Sequence, residues 1–353
     1  MRKHIFVFYL LLITQLLHAQ NVIDLTGEWN FQIDKENKGI DEKWYARPLN
    51  DKINLPGSMP EKLKGERPSL QTQWTGSLYD SSFYYNPKLE MFRRTGNIKF
   101  PFFLTPERRY VGAAWYKREI HIPSSWKGKR VMLFLERPHI ETTVWINNQR
   151  IGSQNSLSTP HEYDITTAVR PGTSTLTLRI DNHDSCAKVG QNSHSITDHT
   201  QGNWNGVTGE MFIEAKSPVY YEDITLFPTL SKSELTVKTN VRNVTGKQQE
   251  VNFFFMLEKK RIEYKQVMKP GDNKLEFKIP LSRNMTYWDE FHPNLYTLTA
   301  TLGKESFSTT FGMSEISIEG RQFYMNGKKI WIRGTVGNCC FPETGYPPTG
   351  EAS

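Results

Sequence analysis

The feature that most constrains this fold is a rhythm. Apolar residues recur at every second position in short runs over most of the chain. No segment carries a sustained i, i+3, i+4, i+7 apolar stripe. A period of two is that of a strand with one buried face. Trp29, Phe31 and Ile33 alternate with polar residues, and Leu176, Leu178 and Ile180 alternate with Thr175, Thr177 and Arg179. Residues 115–123 read as one strand and 130–136 as the next, the second apolar on both faces and so central in its sheet. Residues 143–146 and 150–152 flank an Asn147-Asn148 turn. Many strands at short spacing predict an all-β chain built as a β-sandwich.

Past Pro218 the rhythm resumes. Runs at 235–241, 251–255, 274–279 and 296–300 predict a second, smaller sandwich over 218–312. Near the end, two apolar-rich runs flank Asn326-Gly327, a dipeptide that tolerates positive φ at both central turn positions and so predicts a hairpin. Arg333-Gly334 then opens a stretch rich in Gly, Pro, Cys and aromatics, and the sequence stops at Ser353. A hairpin, a functional-looking loop and then no further element lead us to expect a truncated product.

Several of these pieces, in this order, resemble family 2 glycoside hydrolases. Leu25-Thr26-Gly27-Glu28-Trp29 and Leu55-Pro56-Gly57-Ser58 look like the opening of that family's sugar-binding domain. Trp115-Tyr116, Leu135-Glu136, Val144-Trp145-Ile146-Asn147, Tyr163-Asp164-Ile165-Thr166 and Asp181-Asn182 look like its jelly roll. Asn294-Leu295-Tyr296, after Trp288 and His292-Pro293, is similar to the end of its immunoglobulin-like domain. Phe311-Gly312-Met313, Asn326-Gly327-Lys328 and Ile332-Arg333-Gly334 resemble the junction where that domain hands over to a (β/α)8 catalytic barrel. The continuation from Cys339-Cys340-Phe341-Pro342 looks like a subgroup of polysaccharide-degrading bacteria. Residues 335–340 carry neither the acidic residue nor the histidine that the β-galactosidase-like branch has there.

The resemblance implies a jelly-roll sugar-binding sandwich at 21–217, an immunoglobulin-like sandwich at 218–312, and at 313–353 the first hairpin and loop of a missing barrel. It also implies a carbohydrate partner. Catalysis in the family rests on two barrel glutamates, about 5–5.5 Å apart for retention of configuration. A barrel needs about 250 residues, so no catalytic residue is assigned here, and the chain alone is expected to be inactive. No cofactor and no metal are implied. A different class remains open: a non-catalytic carbohydrate-binding or adhesion protein of two sandwiches.

Two loops attract attention. Residues 60–110 hold no period yet crowd Trp74, Tyr79, Phe83, Tyr84, Tyr85, Phe92, Phe100, Phe102, Phe103 and Tyr110. Such rings suit stacking on sugars; a satellite core beneath the loop accounts for most of them, with one or two expected to reach a ligand. The polar stretch 185–209 is the candidate site. In the resembling family this loop reaches the active-site mouth and touches the sugar. Its candidate substrate-binding residues are Asp198, His199, Gln201, Asn203, Trp204 and Asn205, because amides and carboxylates bond hydroxyl pairs while a tryptophan face stacks a ring. Where better-known members carry an aspartate, alignment on Gly206-Val207 places Thr200, so Asp198 or Gln201 takes over that contact. The alternative is a capping loop that satisfies its own backbone.

Composition narrows the rest. Aromatics at 12% and hydrophobics at 37% mark a folded protein. Residues 1–20 read as a secretory leader: Arg2, Lys3 and His4, then an apolar run to Leu17, then the small Ala19. That run is short of the ~20 residues a bilayer span needs, so an exported protein, periplasmic or extracellular, is expected. The net charge is +7, and no Lys/Arg cluster interleaves with aromatics to bind nucleic acid. Three cysteines, Cys186, Cys339 and Cys340, make no disulfide scaffold. Asp181, His183, Asp184, His194, Asp198 and His199 lie close in sequence but match no metal-binding motif.

Overall fold

The computed structural model describes residues 21–78, 80–100, 106–198, 202–282 and 284–335. They fall into two compact units that part after Ala215. The first carries β1 (Val22–Asp24), β2 (Gly27–Asp34), β3 (Asp51–Leu55), β4 (Gly57–Ser58), β5 (Ala113–Ile122), β6 (Arg130–His139), β7 (Glu141–Ile146), β8 (Gln149–Asn155), β9 (His161–Asp164), β10 (Gly172–Asp181) and β11 (Gly206–Lys216). One sheet runs β1-β11-β6-β9, with β4 beside β11; the other runs β3-β2-β5-β10-β7-β8. The inward residues of both, among them Phe31, Tyr116, Leu133, Leu178 and Ile213, form the main core. The strand apolar on both faces, β6, is interior to its sheet.

Alternation alone would leave the outer face of the six-stranded sheet to solvent. Instead Thr177 and Arg179 are buried with their apolar neighbours. The cause is residue 115, a tryptophan on the outward face of β5. Trp44 and Leu49, from the β2–β3 connection, pack over Trp115 and Trp145 as a second small core. Asp34 starts that connection: its carboxylate accepts from Lys38 N and Gly39 N, each at 2.8 Å, and from Trp115 Nε1 at 2.9 Å. A Cβ on Gly39 would lie 2.3 Å from Trp115 Nε1, so only glycine lets the backbone pass.

The aperiodic stretch folds into short 3-10 turns, Thr75–Leu78, Ser82–Tyr84 and Pro87–Arg93. Trp74, Phe83 and Phe100 make a satellite core beneath them. Tyr85 stands out at 70% exposure; Tyr79, Phe102 and Phe103 lie outside the described residues.

The second unit is a sandwich of β12 (Val219–Thr229), β13 (Glu234–Asn243), β14 (Gln249–Leu257), β15 (Lys260–Met268), β16 (Gly271–Pro280), β17 (Leu295–Leu302) and β18 (Glu305–Gly312). Its sheets run β12-β13-β16 and β15-β14-β17-β18, around Leu235, Val237, Phe253, Phe255, Phe277 and Leu298. A separate meander follows: β19 (Ile316–Glu319), β20 (Gln322–Met325) and β21 (Lys328–Ile330). Asn326 and Gly327 both have positive φ, 53° and 76°, as the hairpin turn requires. Asn326 also anchors the turn, donating from Nδ2 to Trp288 O at 2.9 Å and accepting at Oδ1 from Glu315 N at 2.9 Å. In register, Ile316 faces Met325, Ile318 faces Phe323, and Phe323 faces Ile330. One face of the meander is therefore apolar apart from Lys328, and Ile316 and Ile318 on it are 63% and 66% exposed.

Replacing Phe277 with alanine is expected to destabilise the second sandwich by about 3–5 kcal/mol. Thermal melting checks this; an unshifted transition would remove Phe277 from that core.

Candidate functional site

The candidate loop joins β10 to β11. Four of its six predicted residues are described, and all four are buried: Asp198 at 1%, Asn203 at 9%, Trp204 at 3% and Asn205 at 1% exposure. His199 and Gln201 lie outside the described residues.

Each of the four meets the chain rather than solvent. Asp198 accepts from Thr75 N at 2.7 Å and Thr75 Oγ1 at 3.0 Å, and pairs with Arg109 at 3.4 Å. Arg109 in turn lies 4.6 Å above the Trp74 ring and donates to Gln73 O. The carboxylate thus ties the loop to the satellite core. Asn203 and Asn182 bond reciprocally: Asn203 Nδ2 donates to Asn182 O at 2.7 Å, and Asn182 Nδ2 to Asn203 Oδ1 at 2.9 Å. Asn205 accepts from Tyr116 Oη at 2.7 Å and donates to Gly112 O at 2.9 Å and Ile180 O at 3.0 Å. Trp204 stacks on His139, centroids 4.8 Å apart and planes 11° from parallel. These bonds tie the loop to the strands and turns around it. Gly206 closes it: at φ 139° a Cβ there would lie 2.3 Å from Gly57 O.

Burial sets the titration of this region. It pushes His139 down to about 4, against the hydrogen bond its Nε2–H donates to Ser195 O at 3.0 Å. It pushes His161, whose Nδ1 meets Thr142 Oγ1 at 2.6 Å, to about 4 as well. Burial alone would raise Asp181, but hydrogen bonds from His183 and the charge of Arg179 hold it near 2. The same hydrogen bond raises His183. Cys186 is a free thiol that burial pushes up to about 12. Among the described residues no group of three or more His, Cys, Asp or Glu is placed to hold a metal ion.

Comparison with known proteins bears on what this scaffold is. The glycosyl hydrolases family 2 sugar-binding domain matches residues 22–213, and a second domain of family 2 matches 219–313. The chain belongs to glycosyl hydrolase family 2. A β-glucuronidase of Paenibacillus borealis is 21% identical over 337 residues, covering 90% of this chain and 49% of its own length. A β-galactosidase of Staphylococcus xylosus is 26% identical over 332 residues, covering 94% of this chain and 30% of its own. A Ruminococcus gnavus β-glucuronidase structure, in complex with D-glucuronic acid, superposes with a TM-score of 0.61 at 18% identity, over 89% of this chain and 49% of that one. The last shows likeness of fold. The chain spans half the length, or less, of these family 2 relatives.

Sequence reasoning missed the partners that hold the loop: Thr75, Arg109, Tyr116, His139 and Asn182. Only Asn182 left a signal, an amide directly after the alternating run of β10.

Two outcomes are expected. Asn205→Ala leaves a buried hydroxyl and two carbonyls without their partner, and should cost about 2–4 kcal/mol; unchanged melting would dismiss the network. Second, below pH ~6.5 the unfolded chain takes up protons that folded His139 and His161 refuse, so stability should fall as pH drops from 6.5 towards 4, by about 1–3 kcal/mol per histidine. Half-exposed His183 works weakly in the opposite sense. Denaturant titration across that window checks this; a flat profile would contradict it.

Proposed function

We propose that this chain is the N-terminal part of an exported glycoside hydrolase. The enzyme would hydrolyse O-glycosidic bonds, β-galactosidase-like, in the breakdown of oligo- or polysaccharide. One observation carries the reading: both family 2 domains match in sequence order, in relatives at least about twice as long that are β-glucuronidases and β-galactosidases. The described residues make two sandwiches and a small meander, with no (β/α)8 barrel among them. Retaining hydrolysis needs two carboxyl groups about 5–5.5 Å apart across the scissile bond. The chain by itself is therefore expected to turn over no glycoside.

In this reading the β10–β11 loop, with Asp198, His199, Gln201, Asn203, Trp204 and Asn205, is the part of the chain that meets the sugar, and the buried contacts of Asp198, Asn203, Trp204 and Asn205 hold it in shape. The leader-like residues 1–20 support export, to the periplasm or beyond the cell. A second reading, a non-catalytic carbohydrate-binding or adhesion protein, draws on one observation: each sandwich closes a hydrophobic core of its own.

The purified chain, assayed with aryl β-galactosides and β-glucuronides, should show no hydrolysis above a blank; measurable turnover would sink the inactive-fragment reading. The nucleotide sequence after codon 353 separates the two classes. A barrel, in frame or after a frameshift, supports the hydrolase, and unrelated sequence supports the binder. N-terminal sequencing of the protein from its native host should begin after residue 20; an intact Met1 would contradict export by this leader.

A further inference from the structure

The cover over the six-stranded sheet is incomplete. Residues 35–50 bury Trp115 and Trp145, then turn away, leaving a cleft of about 620 Å³ on the rest of that outer face. Its floor is the outward set of four neighbouring strands, which pair Lys52 with Asn30, Asn30 with Lys117, and Glu119 with Thr175. Tyr45 and Arg47 line one wall and the Asn147-Asn148 turn another. Tyr45 lies parallel on Trp145, centroids 5.4 Å apart and planes at 8°, which fixes its ring as a platform.

The charges in this cleft are not balanced. Lys117 is only 9% exposed, and its ammonium donates to Trp44 O at 2.9 Å and to Arg47 O. Those are two of three donors, and both acceptors are neutral carbonyls. Among the described residues Lys117 forms no ion pair. Its neighbour Arg47 has one carboxylate, Glu42, at 3.3 Å. Arg47 thus has one exposed anion and Lys117 none, and burial together with the Arg47 charge lowers the Lys117 pKa. A desolvated cation without a counter-charge is costly, and an incoming anion relieves it. Glu119 projects from the same strand face two residues on, about 7 Å away, as an acceptor for hydroxyl groups.

We propose that this cleft is a carbohydrate site that takes an acidic saccharide. The sugar's anionic group sits against Lys117 and Arg47, its ring against Tyr45, and its hydroxyls against Glu119, Asn30 and Thr175. The shared chemistry is one anion on a polyhydroxylated ring, whether a uronate carboxylate or a sulfate ester.

Titration calorimetry on the full chain tests this with a uronate oligosaccharide, a sulfated oligosaccharide, a neutral one of equal length, and inorganic sulfate. At least one acidic sugar should bind tenfold or more tighter than the neutral sugar, with affinity falling as NaCl rises. The arm that binds identifies the carboxylate or the sulfate ester. Arg47→Gln and Tyr45→Ala should each weaken binding at least fivefold, with melting read alongside. Lys117→Met should abolish it, and if that variant fails to fold the other two carry the test. Equal binding of the neutral sugar, no binding of either acidic sugar, inorganic sulfate binding as tightly as the saccharide, or unchanged affinity in folded Arg47→Gln and Tyr45→Ala would each overturn the proposal.

Discussion

The first sandwich depends on one buried amide. Asn205 stands at the head of β11, in one sheet, and hydrogen-bonds Tyr116 of β5, the backbone at Gly112 and the end of β10 at Ile180, all on the other side. Asn205, Tyr116 and Ile180 are buried, so the polar groups there need partners within the fold. A single side chain answers a hydroxyl and two carbonyls at once. Its own carbonyl accepts from Met59 N at 2.8 Å, which extends the clamp to the strand beside β11. Moving Asn205 by one residue in either direction would unmatch four groups, so the loop before it has a fixed exit. Asn182 and Asn203 fix the loop's other side by the same logic.

The β-class and the turns were legible because they follow from local rules. Period-two alternation marks a buried strand face, and Asn326-Gly327 marks a turn whatever surrounds it. The second layer over Trp115 was not, because covering an outward tryptophan needs a partner some seventy residues away in sequence, Trp44. The candidate loop shows a subtler limit. A ligand-facing cluster and a self-satisfying one use the same amides, carboxylates and tryptophans. They differ only in direction, and direction is set by Thr75, Arg109 and His139, which no spacing rule connects to the loop. Composition marked the stretch and left its orientation open.

The satellite core and the loop depend on each other. Arg109 is held by backbone pairing with Glu66, lies on Trp74 and reaches Asp198. Asp198 holds Thr75, at the start of the turn that follows Trp74. The energetics are those of an ordinary buried ion pair. Removing either partner strands a charge, while keeping both adds little net stability.

The meander β19–β21 carries a consequence for handling the molecule. Its apolar face is about as wide as three strands, and Trp331 and Ile332 just beyond it are 70% and 75% exposed. Among the described residues β19 and β21 are both edges of this sheet, beside oily side chains. That combination nucleates intermolecular sheet stacking in concentrated solution. Light scattering from the isolated polypeptide would then rise with protein concentration, and its colloidal behaviour would be governed by about fifteen residues rather than by either sandwich.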